Sequence, residues 1–278
     1  MNPYERLATQ YSQLIKKGKK IPLGQRSPVR HVRLPEHSPS VLIFSPHPDD
    51  ECIIGALPLR LRHEVQMNVV NVAVTLGSQK SRRRERLHEL KQACAFLGFG
   101  LINAARNGLE QITAESRKTN RRHWKQAVNV IAGIIAETNP RIIFLPHQHD
   151  GHPTHIGTHF LVLDALAAQS RQFACRVIET EFWRPMETPN LMVESSARDV
   201  GTLMTALSFH AGEVRRNPYH LLLPAWMQDN VRRGAELVGG RGAAAPDFSF
   251  ATLYRQRQWS RGAFKPDQIT SAIIHALK

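Results

Sequence analysis

Short unbroken apolar runs alternate along this chain with longer stretches whose apolar residues recur every three or four positions. Val41-Leu42-Ile43-Phe44 is the first run, set between Pro39 and Pro46. Val69 to Val74 is the second, containing Val70, Val72 and Ala73. Ile142-Ile143-Phe144-Leu145 follows, closed by Pro146, and Arg176 to Phe182 is the fourth. Brief, β-branched runs punctuated by proline predict buried strands. Between them, Leu87, Leu90, Cys94 and Leu97 mark one helical face, with Gly98 placed as its C-cap. Trp124, Val128, Ile131 and Ile135 repeat that spacing and stop before Pro140, while Ile156, Phe160, Leu163 and Leu166 form a third stripe. Two more helices are expected over 196–210 and 219–234.

Strands alternating with helices predict βαβ units, hence an α/β fold with a mostly parallel sheet. No internal repeat or low-complexity tract interrupts it, and the Gly- and Ala-rich Gly239 to Pro246 reads as a loop. Residues 1–39 read differently. Lys16, Lys17, Lys19, Lys20, Arg26, Arg30 and Arg33 stand there against Glu5 and Glu36, and Pro22, Pro28, Pro35 and Pro39 break the later half. This is a basic arm, a short helix and then an extended lead-in, ahead of a single domain over 40–278.

Charge adds a question rather than an answer. The chain of 278 residues carries 37 Lys and Arg against 23 Asp and Glu, a net +14. Such a balance suits nucleic acid, an anionic membrane surface or a phosphorylated substrate, and equally a solvated surface with no partner. Cys52, Cys94 and Cys175 are scattered, odd in number and form no C-x-x-C pair, which argues against a disulfide framework. The opening residues hold no apolar core of signal-peptide length, and the longest apolar runs are too short to span a bilayer. A soluble, cytoplasmic chain is expected.

Two constellations carry candidate chemistry. Ser45-Pro46-His47-Pro48-Asp49-Asp50-Glu51 follows the first strand directly, and ligands of open parallel sheets bind at the C-terminal ends of strands. Pro48 is suited to open a helix whose first turn holds Asp49, Asp50 and Glu51. His47 and Asp50, three apart, can turn to one point and supply an imidazole and a carboxylate of a catalytic zinc site. Asp49 can then face the water. The second constellation, Pro146-His147-Gln148-His149-Asp150-Gly151-His152-Pro153-Thr154-His155, follows the Ile142–Leu145 strand, with His159 one helical turn on. Five histidines within thirteen residues after a strand are a metal-site signal. The run reads H-x-H-D-x-H, not the H-x-H-x-D-H of metallo-β-lactamases.

With these residues the chain resembles the PIG-L/LmbE family of zinc-dependent N-deacetylases. Its H-P-D-D-E signature is matched by His47 to Glu51. Its H-P-D-H signature is matched by His152, Pro153 and His155, with Thr154 where the family has Asp. Thr75-Leu76-Gly77, Arg86, Glu89-Leu90, Ala93 and Leu97-Gly98 fit the intervening pattern. The order of features runs over about residues 40–260, weakly after 185. The resemblance implies a Rossmann-like fold and one Zn2+ held by His47, Asp50 and His155. It also implies Asp49 as general base, His152 as oxyanion donor or acid, and Arg86 and Asp150 as substrate contacts. Thr154 lacks the carboxylate that would raise the pKa of His152.

The implied activity is removal of an N-acetyl group from an amino sugar such as N-acetylglucosamine or its conjugate. That small-molecule substrate includes phosphorylated, nucleotide-linked and lipid-linked forms, and no specific nucleic acid is expected. Two alternatives stay open at the level of sequence. One is a metal-dependent amidase acting on a non-sugar conjugate. The other is a basic binding protein with a degenerate metal site.

Overall fold

The computed structural model describes residues 2–24, 31–266 and 271–276. Arg26, Pro28 and Arg30 of the basic arm lie outside the described residues. The arm's helix is α1 (Pro3–Gly18), and β1 (Ser40–Ser45) opens the sheet. Then come α2 (Asp50–Ile53), α3 (Leu57–His63), β2 (Asn68–Ala73), α4 (Arg83–Leu97) and β3 (Gly100–Asn103). Next are α5 (Ala114–Thr119), α6 (Arg121–Thr138), β4 (Ile142–Pro146), α7 (Pro153–Ala167) and β5 (Ala174–Thr180). The chain continues through β6 (Leu191–Glu194), α8 (Ala197–Ser208), α9 (Ala211–Arg216) and α10 (Tyr219–Leu237). It closes with β7 (Ala251–Ser260), β8 (Ala263–Phe264) and β9 (Ala272–Ile274).

One sheet runs in the order β3-β2-β1-β4-β5-β7-β6-β9, with β8 folded back on β7. The first five strands are parallel, and β7 joins β5 antiparallel. From β1 the chain winds out to β2 and β3, whereas from β4 it winds the other way to β5. The crevice between the C-terminal ends of β1 and β4 is therefore the topological switch point, where a doubly wound sheet binds its ligands. Both candidate constellations leave from those two ends.

The unbroken apolar runs of β1 and β4 reflect burial on both faces. Val41 and Ile43 point into a core with Leu90, Leu97, Leu203 and Met227. Leu42 and Phe44 point the other way, onto Ile131, Ile135, Leu161 and Val162. Helices thus cover both faces of a mostly parallel sheet, as the alternation predicts.

Three local readings change. Pro48 does not open α2; the helix begins at Asp50, and Asp49 sits before it in a left-handed conformation. Of the predicted α7 stripe Leu166 is buried and Ile156, Phe160 and Leu163 are only half-buried, and Leu161, Val162 and Ala165 complete the buried face. The helix is apolar nearly all round, so its period does not reveal which side faces the sheet. The long strand β7 was not expected, because Arg255, Gln256, Arg257 and Gln258 give its second half the look of a loop.

Candidate active site

The site is built at the switch point. Beyond β1 the backbone turns sharply so that Asp49 takes φ 114° and ψ −27°. A side chain with a β-carbon adopts this seldom, and Asp and Asn are the residues that tolerate it best. The surroundings hold it there. The Asp49 N–H donates to Glu51 Oε2 at 2.9 Å, its carboxylate accepts from the Tyr219 hydroxyl, and Arg86 Nη2 lies 4.0 Å from Oδ1. Glu51 is itself fixed by a fully buried pair with His210, Oε1 to Nε2 at 2.8 Å.

Asp50 turns the opposite way. Its Oδ2 accepts from the His47 N–H at 2.8 Å and stands 3.5 Å from His47 Nδ1 and 3.3 Å from His155 Nε2. His47 Nδ1 and His155 Nε2 are 3.2 Å apart. Three donor atoms thus form a triangle with sides of 3.2 to 3.5 Å. Tetrahedral zinc, with bonds of about 2.0–2.2 Å, sets its ligands about 3.3–3.5 Å apart. The triangle fits that face of a tetrahedron.

Electrostatics support a cation there. Burial lowers the pKa of His47 to about 4, against the raising effect of Asp49, and burial followed by the neighbouring His47 lowers His155 to about 2. Both imidazoles are neutral at pH 7, the form that ligates metal. Burial, reinforced by Asp50, raises Asp49 to about 7, and burial holds Asp50 well above the carboxylate range despite the His47 N–H. Asp49 has the Arg86 guanidinium at 4.0 Å, whereas the close partners of Asp50 are the neutral imidazoles, and buried charges are stable when paired or bound to a metal.

His152 is the N-cap of α7, and its Nδ1 accepts from the Thr154 N–H at 3.2 Å. A protonated ring cannot accept, so the cap favours the tautomer with the proton on Nε2. Burial and then His47 lower its pKa, with Asp150 acting the other way. His152 is thus a neutral donor whose ring lines the cleft and stacks on Trp183, centroids 5.9 Å apart. Asp150 is buried outside the cleft lining. Its Oδ1 accepts from the His152 N–H and lies 3.6 Å from His155 Nδ1, and its Oδ2 accepts from the Trp183 N–H. This carboxylate sits against the far nitrogen of His155 and does not line the cleft. The other three histidines of the cluster are elsewhere: His147 bonds the Arg184 carbonyl, His159 the Pro146 carbonyl, and His149 meets Gln148.

The cleft has a volume of about 860 Å³. One wall is basic. Arg86 packs over Gly77, where φ is +86° and an added β-carbon would meet Arg86 Nη1 at 2.2 Å, and it donates to the Pro48 carbonyl. Arg82 pairs with Glu213 and Arg83 with Glu110, while Arg84 is exposed and does not line the cleft. The other wall is apolar and includes Ile53, Phe182, Trp183, Leu222 and Trp226. Sequence reasoning did not single out Tyr219, His210 or Trp183. They lie far from both motifs, and no local pattern marks them. Removing one partner of a buried pair strands the other, so His210→Ala is expected to cost about 3–5 kcal/mol in urea unfolding; a loss below 1 kcal/mol would remove the pair as a brace.

Two imidazoles and a carboxylate thus converge at the switch point of a Rossmann-like sheet with a second carboxylate beside them, a donor set of the class that can hold a metal ion. Comparison with known proteins adds a likeness: residues 42–166 match the family model described as PIG-L: GlcNAc-PI de-N-acetylase. A 1D-myo-inositol 2-acetamido-2-deoxy-alpha-D-glucopyranoside deacetylase from Thermomonospora curvata is 30% identical over 152 residues, 45% of this chain and 51% of that protein. The chain thus spans about half the length of the curated relative it matches.

Solved structures share the fold more widely. The N,N'-diacetylchitobiose deacetylase of Pyrococcus horikoshii has a TM-score of 0.54 at 14% identity, covering 92% of this chain and 93% of that one. Teicoplanin deacetylase Orf2 gives 0.56 at 16%, covering 82% and 100%. The 4-carboxy-2-hydroxymuconate hydratase GalB of Pseudomonas putida gives 0.58 at 15%, covering 78% and 95%. At such identities the likeness shows the fold alone, and the hydratase among them means that the reaction must be argued from the site. No helix among the described residues is long and apolar enough to cross a membrane.

Proposed function

We propose that this chain is a zinc-dependent hydrolase that removes an acetyl group from the nitrogen of an amino sugar or its conjugate. The observation that carries the reading is the donor triangle of His47, Asp50 and His155 with the separate carboxylate of Asp49 beside it. The PIG-L match and the deacetylase names of the relatives agree with it.

When bound by His47, Asp50 and His155, zinc would acidify a water to a pKa of about 7 and polarise the amide carbonyl. Asp49, held by Tyr219 and the Glu51-anchored backbone, accepts the proton of the attacking water. His152, with Nδ1 occupied by the α7 cap, donates from Nε2 to the carbonyl oxygen as negative charge grows there. Asp49 then returns its proton to the leaving amine, and the products are acetate and the free amino sugar. Asp150, against the far nitrogen of His155, orients that ring. The experiment is acetate release from N-acetyl sugars presented free, nucleotide-linked and lipid-linked; no release from any of them by zinc-loaded protein would overturn the reading.

The basic wall bears on which form is preferred. Lys80 and Arg216 line the cleft with mostly exposed side chains, paired with Glu110 at 3.6 Å and with Glu213 at 2.6 Å; exposed ion pairs are weak, so either cation can turn to an anion in the cleft. A phosphorylated N-acetyl sugar is expected to show a lower KM than the neutral sugar, with an advantage that shrinks as salt is added. Lys80→Gln with Arg216→Gln should raise KM for the phosphorylated substrate about tenfold, the scale of one charge-assisted hydrogen bond. It should leave the neutral one unchanged, and Arg84→Gln should alter neither. Equal KM for both substrates at low salt would leave the basic wall without a part in recognition.

A further inference from the structure

Helix α1 stands largely apart from the sheet it precedes. It is joined to the body at its C-terminal end, where Gly18 packs on Leu221 of α10, an added β-carbon meeting Leu221 Cδ2 at 2.8 Å. Along its length Tyr4, Leu7, Tyr11 and Leu14 recur at the three-and-four spacing that makes one face. They are 80%, 49%, 52% and 62% exposed, and none belongs to the cores described above. Exposing a continuous apolar stripe to water over about 15 Å of helix is unfavourable unless something covers it.

The opposite face is polar, with Glu5, Arg6, Thr9, Gln10 and Gln13. Lys16, Lys17, Lys19 and Lys20 crowd the C-terminal end with no acidic residue among them, and Ile21 just beyond is exposed as well. Apolar stripe, polar reverse face and flanking lysines are the signature of a helix that lies in the plane of a lipid surface.

We infer that α1 docks this protein onto a membrane surface carrying anionic lipid, with the Tyr4-Leu7-Tyr11-Leu14 stripe in the interface and the Lys16–Lys20 cluster on the headgroups. Charge complementarity selects this occupant over a second copy of the chain, whose own α1 offers one carboxylate, Glu5, to four lysines. A stripe of about two heptads is also short of the three or four that sustain a coiled coil. The position of the helix gives the docking a use. Leu221, on which α1 rests, is followed by Leu222 and Leu223, which line the cleft. The docked helix therefore rests on α10, the same helix that lines the cleft, whatever bond the site cleaves.

The full-length protein is sedimented at low salt with vesicles of phosphatidylcholine alone and of phosphatidylcholine mixed with phosphatidylglycerol. Wild type is expected to partition onto the mixed vesicles, to stay free of the neutral ones and to be released by added salt. Replacing the four lysines with Gln should weaken partitioning on the order of a thousandfold, and Leu7→Glu with Leu14→Glu by about tenfold or more. Neither variant touches the core, so both should match wild type in thermal melting and in turnover of a soluble substrate. Absence of wild type from the mixed vesicles at low salt would overturn the proposal. So would loss in the lysine variant alone, which reduces the contact to charge attraction. A wild-type dimer that Leu7→Glu with Leu14→Glu dissociates, with no vesicle binding, would assign the stripe to a second copy instead.

Discussion

Asp49→Asn is expected to keep its bound metal and to lose turnover on the order of a hundredfold or more, the scale of removing a general base. The substitution is a clean probe for a backbone reason. Asn tolerates the left-handed φ of 114° almost as well as Asp, and its amide still meets the Tyr219 hydroxyl. Asp49→Ala would confound the test by adding backbone strain of about 1–3 kcal/mol. The pH profile gives a second reading. A base must be ionised, so wild-type kcat/KM should fall on the acid side as Asp49 takes up a proton. Without a cation its pKa is pushed up to about 7 by burial and by Asp50. A cation beside it favours the carboxylate, so the acid limb of the loaded enzyme should lie below that value. An acid limb that persists unchanged in Asp49→Asn would assign the base elsewhere.

Elemental analysis of the zinc-loaded protein should return about one metal per chain, falling to near zero after dialysis in His47→Ala, Asp50→Ala and His155→Ala. Each of these removes one corner of the donor triangle, whereas Asp49→Asn removes none. Asp150→Asn should weaken metal affinity by about 10–100-fold without abolishing it, as loss of a carboxylate behind a ligating imidazole does. Retention of metal in all three ligand variants would sink the assignment. Loss of metal in Asp49→Asn would show that the two adjacent aspartates exchange roles.

The parallel half of the fold and the two motifs were legible in the sequence because each rests on local signals. Val41–Phe44 and Ile142–Leu145 are continuous apolar runs only a doubly covered strand can use, and Gly98 closes α4 at φ 74°. The convergence of His47 with His155 was also readable, since both follow strands of one parallel sheet. The four-residue edge strand β3 is too short to show a period, and β7 is disguised by its Arg and Gln residues. The histidine cluster misled by number: three of its five rings satisfy a backbone carbonyl or a neighbouring side chain. Tyr219 and His210 lie more than 150 residues beyond the first motif, and nothing around them says that the fold brings them to Asp49 and Glu51.

That distance divides the labour of the molecule. Within residues 42–166 lie the three triangle residues, Asp49 and His152, every group assigned to the chemistry. Phe182, Trp183, Leu222 and Trp226 of the apolar wall come from the chain after it, as do Tyr219 and His210, which hold Asp49 and Glu51. Selectivity can therefore be redrawn without rebuilding the reacting centre. Grafting a different stretch from the end of β5 through α10, with Tyr219 and His210 kept, onto the same first half is expected to redirect the site to other substrates. A library randomised at positions 182, 183, 222 and 226 is where an engineered preference for another acylated amine should be sought.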